Sequence, residues 1–287
     1  MKKIKIILVL GIILPLLTGC FKRDNMDNIS IYATVYPIEY LVKNIYGYNS
    51  TINSIYPNGT NTKTYELTEK KLKEYSKVDL FVYNGLTSEK SIAASFLNYN
   101  SNLKIIDVSK GIALQNDQEE LWLCPSNYLM LAQNIKNELV EYTKSTILKQ
   151  EINDKYDALK LTISKYDAEL KLIAENANNN TIIAGNDVFL FLEKYGFDVI
   201  SVEESDRYLA SYYQEAKNNI VGKKNNYIFV LDTDEINENT SNLEKAGAKI
   251  ITVRSMTNLT DDEEKDNLDY PKMMSEFIEQ IRNEVNN

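Results

Sequence analysis

Residues 148–176 read LKQEINDKYDALKLTISKYDAELKLIAEN and contain neither glycine nor proline. Within them Ile152, Tyr156, Leu159, Ile163, Tyr166, Leu170 and Ile173 recur at steps of three and four, the period of one helical face. The spacing predicts a single helix of nearly thirty residues, roughly 43 Å long at about 1.5 Å per residue. Such a helix is too long for one compact lobe and well placed to be a spine joining two. Its other common use is a surface coiled-coil pair, but no second heptad-bearing segment is present to partner it.

On both sides of this stretch, short apolar runs alternate with amphipathic ones. Before it, residues 29–35, 51–55, 80–83 and 104–108 read as strands. Residues 38–45, 66–75 and 128–142 read as helices, the first opened by Pro37, which a first helical turn tolerates because its missing N–H would be unpaired there. After Asn178, Asn179 and Asn180 the alternation resumes. Strands are expected over 181–184, 199–202, 227–231 and 249–253, and helices over 189–195, 208–219, 241–245 and 272–283. This pattern argues for an α/β protein of two lobes, each a mainly parallel sheet with covering helices, joined by one long backbone helix. The expected divisions are 29–147, 148–177 and 178–287, with no internal repeat strong enough to name.

At the N-terminus, Lys2, Lys3 and Lys5 precede an apolar run over 6–17, too short to span a bilayer and suited to the core of a signal peptide. It ends in Leu17-Thr18-Gly19-Cys20, which resembles the lipobox of bacterial lipoproteins. The resemblance implies cleavage before Cys20, lipid on that cysteine, and an extracytoplasmic chain anchored to the cell membrane. The polar residues 21–28 are expected to be a flexible tether. With Cys20 lipidated, Cys124 is the only other cysteine and no intramolecular disulfide can form. Stability must then come from apolar burial, for which the roughly 265 remaining residues suffice as two lobes.

The formal net charge is −9, which argues against nucleic acid as a partner. The chain has no histidine, which removes imidazole catalysis and the commonest zinc ligand together. There is no glycine-rich phosphate loop and no serine elbow, and Cys124 lacks a histidine to activate it. The chain is not expected to be an enzyme.

Six blocks, spread over nearly all of the chain after Cys20, carry a family resemblance. They are Ala33-Thr34-Val35-Tyr36-Pro37, Tyr65-Glu66-Leu67-Thr68, the nine residues from Lys77 to Gly85, Leu121-Trp122-Leu123-Cys124-Pro125, Tyr195-Gly196-Phe197, and Tyr270 to Met274. In order and spacing they resemble the metal-binding solute-binding lipoproteins of zinc and manganese ABC importers, a group that includes streptococcal adhesin lipoproteins. The resemblance implies two lobes on one backbone helix, a ligand between them, an ABC permease as membrane partner, and a monomer.

The family's metal ligands are what this sequence lacks. By resemblance, the first histidine position is Lys63, the second is Glu120, the third is Asn186, and the final aspartate position is Arg254. Asp187 stands beside the third as a substitute. A guanidinium has no lone pair to give, and a lysine would first have to lose a proton held with a pKa near 10. The set cannot close a zinc tetrahedron, so no zinc or manganese is expected as cofactor or cargo at this position.

Three readings of the replaced cluster follow. Lys63, Glu120 and Arg254 form ion pairs that lock a cargo-free cleft, as in an adhesin or structural lipoprotein. Alternatively, the two cations receive a small anionic or zwitterionic solute, with Tyr36, Tyr65 and Tyr83 as walls. Or the acidic runs 203–206 and 232–235 hold a metal through oxygen.

Overall fold

The structure, a computed structural model, describes residues 26–113, 119–205 and 208–286. The expected signal peptide, Cys20 and the first part of the expected tether lie outside the described residues. Met26, assigned to the tether, does not behave as one. It is fully buried and its carbonyl accepts the Tyr46 hydroxyl, because an unbranched apolar side chain next to strand one fills a core gap.

The N-terminal lobe contains β1 (Ile29–Ala33), α1 (Tyr36–Tyr46), β2 (Ser50–Ser54), α2 (Glu69–Tyr75), β3 (Leu80–Tyr83), α3 (Glu89–Tyr99), β4 (Lys104–Asp107) and α4 (Pro125–Tyr142). After the spine, α5 (Thr146–Glu175), the C-terminal lobe contains β5 (Thr181–Ala184), β6 (Asp198–Ser201), α6 (Ala210–Val221), β7 (Tyr227–Leu231), α7 (Glu238–Lys245), β8 (Lys249–Val253), α8 (Asp261–Lys265) and α9 (Tyr270–Val285). All strand pairs are parallel. The two sheets run β2-β1-β3-β4 and β6-β5-β7-β8. The lobes therefore share one strand order, a repeat of architecture that the sequence does not display.

Helix α3 is absent from the sequence reading. Ala93 and Phe96 are its only fully buried apolar side chains, too few to mark a period. The helix expected over 189–195 is a 3₁₀ helix, Asp187–Tyr195, ended by Gly196 at φ 100°, a conformation that only glycine adopts without strain.

The spine forms as its period requires. Ser145 caps it by accepting the Leu148 N–H at 3.3 Å, and all seven periodic residues, with Leu148, are buried. That face packs on α1 and α4 of the first lobe and on α9 and the 3₁₀ helix of the second. Each buried side chain is worth ~1.5–3 kcal/mol of transfer free energy, so tertiary packing holds a helix that is mostly polar on its other faces. The main apolar core is continuous from β1 through the spine to α9. A smaller cluster, built on Ile183, Ile200, Ile228 and Leu243, lies under α6 and α7.

The lobes are also stitched directly. The Trp122 indole N–H donates to the Ser255 carbonyl at 2.6 Å, and the Tyr270 hydroxyl donates to the Trp122 carbonyl at 2.8 Å. The Tyr36 N–H donates to the Thr257 carbonyl at 2.9 Å. In a parallel sheet, ligands meet the crevice at the carboxyl ends of strands flanking the switch in strand order. Here those ends belong to β1 and β3 in one lobe and to β5 and β7 in the other.

Candidate functional site

The loops at the carboxyl ends of the two sheets enclose a cavity of about 550 Å³. The first lobe contributes Lys63, from the loop after β2, and Glu119 and Glu120, from the segment after β4. The second lobe contributes Asp187 after β5, Glu203 and Glu204 after β6, and Asp234 and Glu235 after β7. Seven carboxylates thus face one ammonium.

Lys63 is aimed by local structure. The Asn61 side-chain carbonyl accepts its backbone N–H at 2.9 Å. The loop is tied to the opposite lobe by Gly59 N–H on the Leu259 carbonyl at 2.8 Å and by the Asn258 amide on the Pro57 carbonyl at 2.7 Å. The Lys63 Nζ then lies 3.3 Å from Glu120 Oε1 and 2.8 Å from Asp234 Oδ1. One ammonium therefore bridges carboxylates of both lobes. Burial alone would lower the Lys63 pKa, but the Asp234 hydrogen bond and the Glu120 charge outweigh it and leave the pKa raised. Burial raises the Glu120 carboxyl, and Lys63 only partly opposes this.

The other candidate positions divide. Asn186 lines the cavity, but its side-chain carbonyl accepts the Leu231 N–H at 2.8 Å and so joins β5 to β7. It follows Gly185, where a Cβ would meet Thr240 Oγ1 at 2.9 Å and Val230 Cγ2 at 3.0 Å. Asp187 is 7% exposed. Its backbone N–H donates to the Glu203 carboxylate, whose pKa is raised mainly by burial. Among the described residues its own carboxylate has no hydrogen bond or ion pair.

Arg254 does not line the cavity, and the expected Lys63–Glu120–Arg254 cluster does not form. Arg254 Nη2 instead meets Glu263 Oε1 at 2.5 Å. Glu263 is the capping-box residue of α8, accepting the Thr260 N–H at 2.9 Å. Against its partial burial, that N–H and the guanidinium hold the Glu263 carboxyl below its ordinary range. A partner nine residues along the chain wins over one across the cleft. Asp234 takes the place expected of Arg254, with the opposite charge. Its signal in the sequence was the acidic run after β7, which does not tell which member faces inward: Asp232 accepts the Ser255 N–H at 2.8 Å and is structural.

The tyrosine walls are also absent. Tyr36 donates to the Leu268 carbonyl, Tyr65 packs edge-on against Tyr56, and Tyr83 stacks on Phe81. None lines the cavity. Among the described residues, no group of three or more His, Cys, Asp or Glu is arranged to hold a metal ion.

A smaller adjoining cavity, about 210 Å³, is lined by Lys63, Glu120 and the buried Glu89. Glu89 accepts the Asn84 N–H at 2.7 Å, and burial pushes its carboxyl up to about 7. The folded chain therefore holds this proton more tightly than the unfolded chain, whose Glu titrates near 4.3. Stability is expected to fall as pH rises from about 4.3 through about 7, by roughly 3–4 kcal/mol at most. Melting Glu89→Gln beside the parent at pH 5 and pH 8 should show a smaller loss in the variant, and parallel profiles would count against this assignment.

Fold and site together define a bilobal α/β protein with an acidic cleft at the facing carboxyl ends of two parallel sheets. The chain belongs to the family described as zinc-uptake complex component A, periplasmic (ZnuA), whose pattern it matches over residues 31–284. It is 29% identical over 157 residues to the metal ABC transporter substrate-binding lipoprotein SloC of Streptococcus mutans, covering 49% of this chain and 51% of SloC. It is 30% identical over 203 residues to the manganese ABC transporter substrate-binding lipoprotein PsaA of Streptococcus pneumoniae, covering 60% of this chain and 65% of PsaA. The match thus spans about half of the first relative and just under two thirds of the second. Among solved structures, the metal-dependent lipoprotein YcdH of Bacillus subtilis superposes with a TM-score of 0.74 over 90% of this chain and 99% of its own, at 18% identity. That likeness is one of fold. The relatives are substrate-binding components and not enzymes.

Proposed function

We propose that this chain is the extracytoplasmic substrate-binding lipoprotein of an ABC importer of the metal type, anchored through Cys20 and working with a membrane permease. In it the Lys63 ammonium holds the position at which a divalent cargo would bridge the lobes. The observation that carries this reading is the bridge itself, with Lys63 Nζ 3.3 Å from Glu120 and 2.8 Å from Asp234. A fixed cation there repels a divalent ion and engages the two carboxylates that would otherwise bind it. An anionic cargo is disfavoured for a separate reason, since Arg254 is engaged by Glu263 and the walls are acidic.

The test is a melt of the full chain in detergent, free of any polyhistidine tag and stripped with chelator, followed by the fluorescence of its single tryptophan, Trp122. Zinc and manganese are expected to leave the midpoint unchanged. A chelator-reversible rise of roughly 5–10 °C, the size produced by a ligand at about a hundred times its Kd, overturns the reading.

A further inference from the structure

The cavity shows what kind of cation it accepts, because it already holds one. Lys63 is an alkylammonium on a flexible stem, gripped by one carboxylate from each lobe. Its side chain is 36% exposed, so the bridge lies at an open cleft. Beyond it the cavity continues to Asp187, a residue only 7% exposed whose carboxylate is unpaired among the described residues. A carboxylate accepts only and binds a charged donor strongly, and a cationic group delivered from solvent would supply the donor that Asp187 lacks. Glu203 lies beside it, joined through the Asp187 N–H, and Glu204 and Glu235 line the more exposed part of the wall.

Size and chemistry narrow the choice. About 550 Å³ is room for roughly eighteen waters at ~30 Å³ each, far more than a bare ion needs. No three-donor metal group is present among the described residues. An ammonium, by contrast, has three donors and no acceptor and matches carboxylate-rich walls without needing a fixed polyhedron. We infer that the cleft binds a linear organic polyamine, with one ammonium taken by Asp187 and the others spread along Glu203, Glu204 and Glu235. This rests on the proposed reading that Lys63 occupies the bridging position.

The experiment titrates the full chain in detergent with spermidine and putrescine by calorimetry, and with zinc and manganese in parallel. Sodium chloride at matched ionic strength controls for screening of a chain of net charge −9. Spermidine is expected to bind saturably with a stoichiometry of one and more tightly than putrescine. Asp187→Asn, which keeps the side chain's shape and breaks no hydrogen bond, is expected to weaken it at least tenfold without lowering the melting midpoint of the free chain. An effect reproduced by sodium chloride, or equal affinity in parent and Asp187→Asn, overturns the polyamine site. Binding of neither amine nor metal overturns it too but leaves the Lys63 bridge standing, whereas saturable zinc or manganese binding removes the bridge reading and this inference together.

Discussion

Lys63→His is expected to turn a chain that ignores zinc into one that binds it. The substitution replaces a permanent cation with an imidazole that can release its proton near neutral pH and then give a lone pair. It also releases Glu120 and Asp234, which lie within 3.3 Å and 2.8 Å of one point in the cleft. Zinc at that point asks for nitrogen and oxygen at about 2.0–2.2 Å, a contraction that loops on two lobes can make. Arg254 does not obstruct it, because its guanidinium is held by Glu263. Zinc at about a hundred times its Kd should raise the melting midpoint by roughly 5–10 °C, reversed by chelator. Lys63→Met, which removes the charge without adding a ligand, should show no such rise. If Lys63→His also fails to respond, then Glu120 and Asp234 cannot converge on a shared ion, and the lysine is not what keeps metal out.

The second large effect concerns the joint between lobes. Tyr270 is essentially fully buried at the start of α9. Its ring stacks on Tyr128 with centroids 4.0 Å apart, and the Tyr128 hydroxyl donates to the Pro37 carbonyl at 2.8 Å. Its own hydroxyl satisfies the Trp122 carbonyl, while the Trp122 indole reaches Ser255 in the other lobe. Tyr270→Ala removes the ring, the stack and the hydrogen bond together and is expected to cost ~3–5 kcal/mol. Tyr270→Phe keeps the ring and leaves one buried carbonyl unsatisfied, at ~1–3 kcal/mol. Urea unfolding followed by Trp122 fluorescence measures both. A cost below about 1 kcal/mol for Tyr270→Ala would mean that the Tyr270 contacts contribute little to holding the lobes together.

The features that decide the fold are local, and for that reason they were legible. The step of three and four over residues 148–176 becomes a buried stripe on α5 because a helix brings those positions to one face. The run from Leu80 to Tyr83 becomes a strand buried on both faces, as an apolar run without alternation should. Where the local signal was thin, as in α3 with only Ala93 and Phe96 fully buried among its apolar residues, the element was missed. Resemblance brought Lys63, Glu120, Asn186 and Asp187 to one cavity because their strands end at the same crevice, but it said nothing about which charges would pair.

The sequence by itself thus determined the two α/β lobes, the helix between them and the lack of histidine that rules out the usual zinc donors. Tertiary structure alone decided the electrostatics of the cleft. Lys63 and Asp234 are 171 residues apart, and nothing along the chain relates them; they meet because two sheets of the same strand order face each other across one spine. Arg254 was drawn the other way by the cap of a five-residue helix close behind it. A side chain's period is set by its neighbours within a turn or two, whereas an ion pair is chosen by distance in space among all competing charges, and only packing sets those distances.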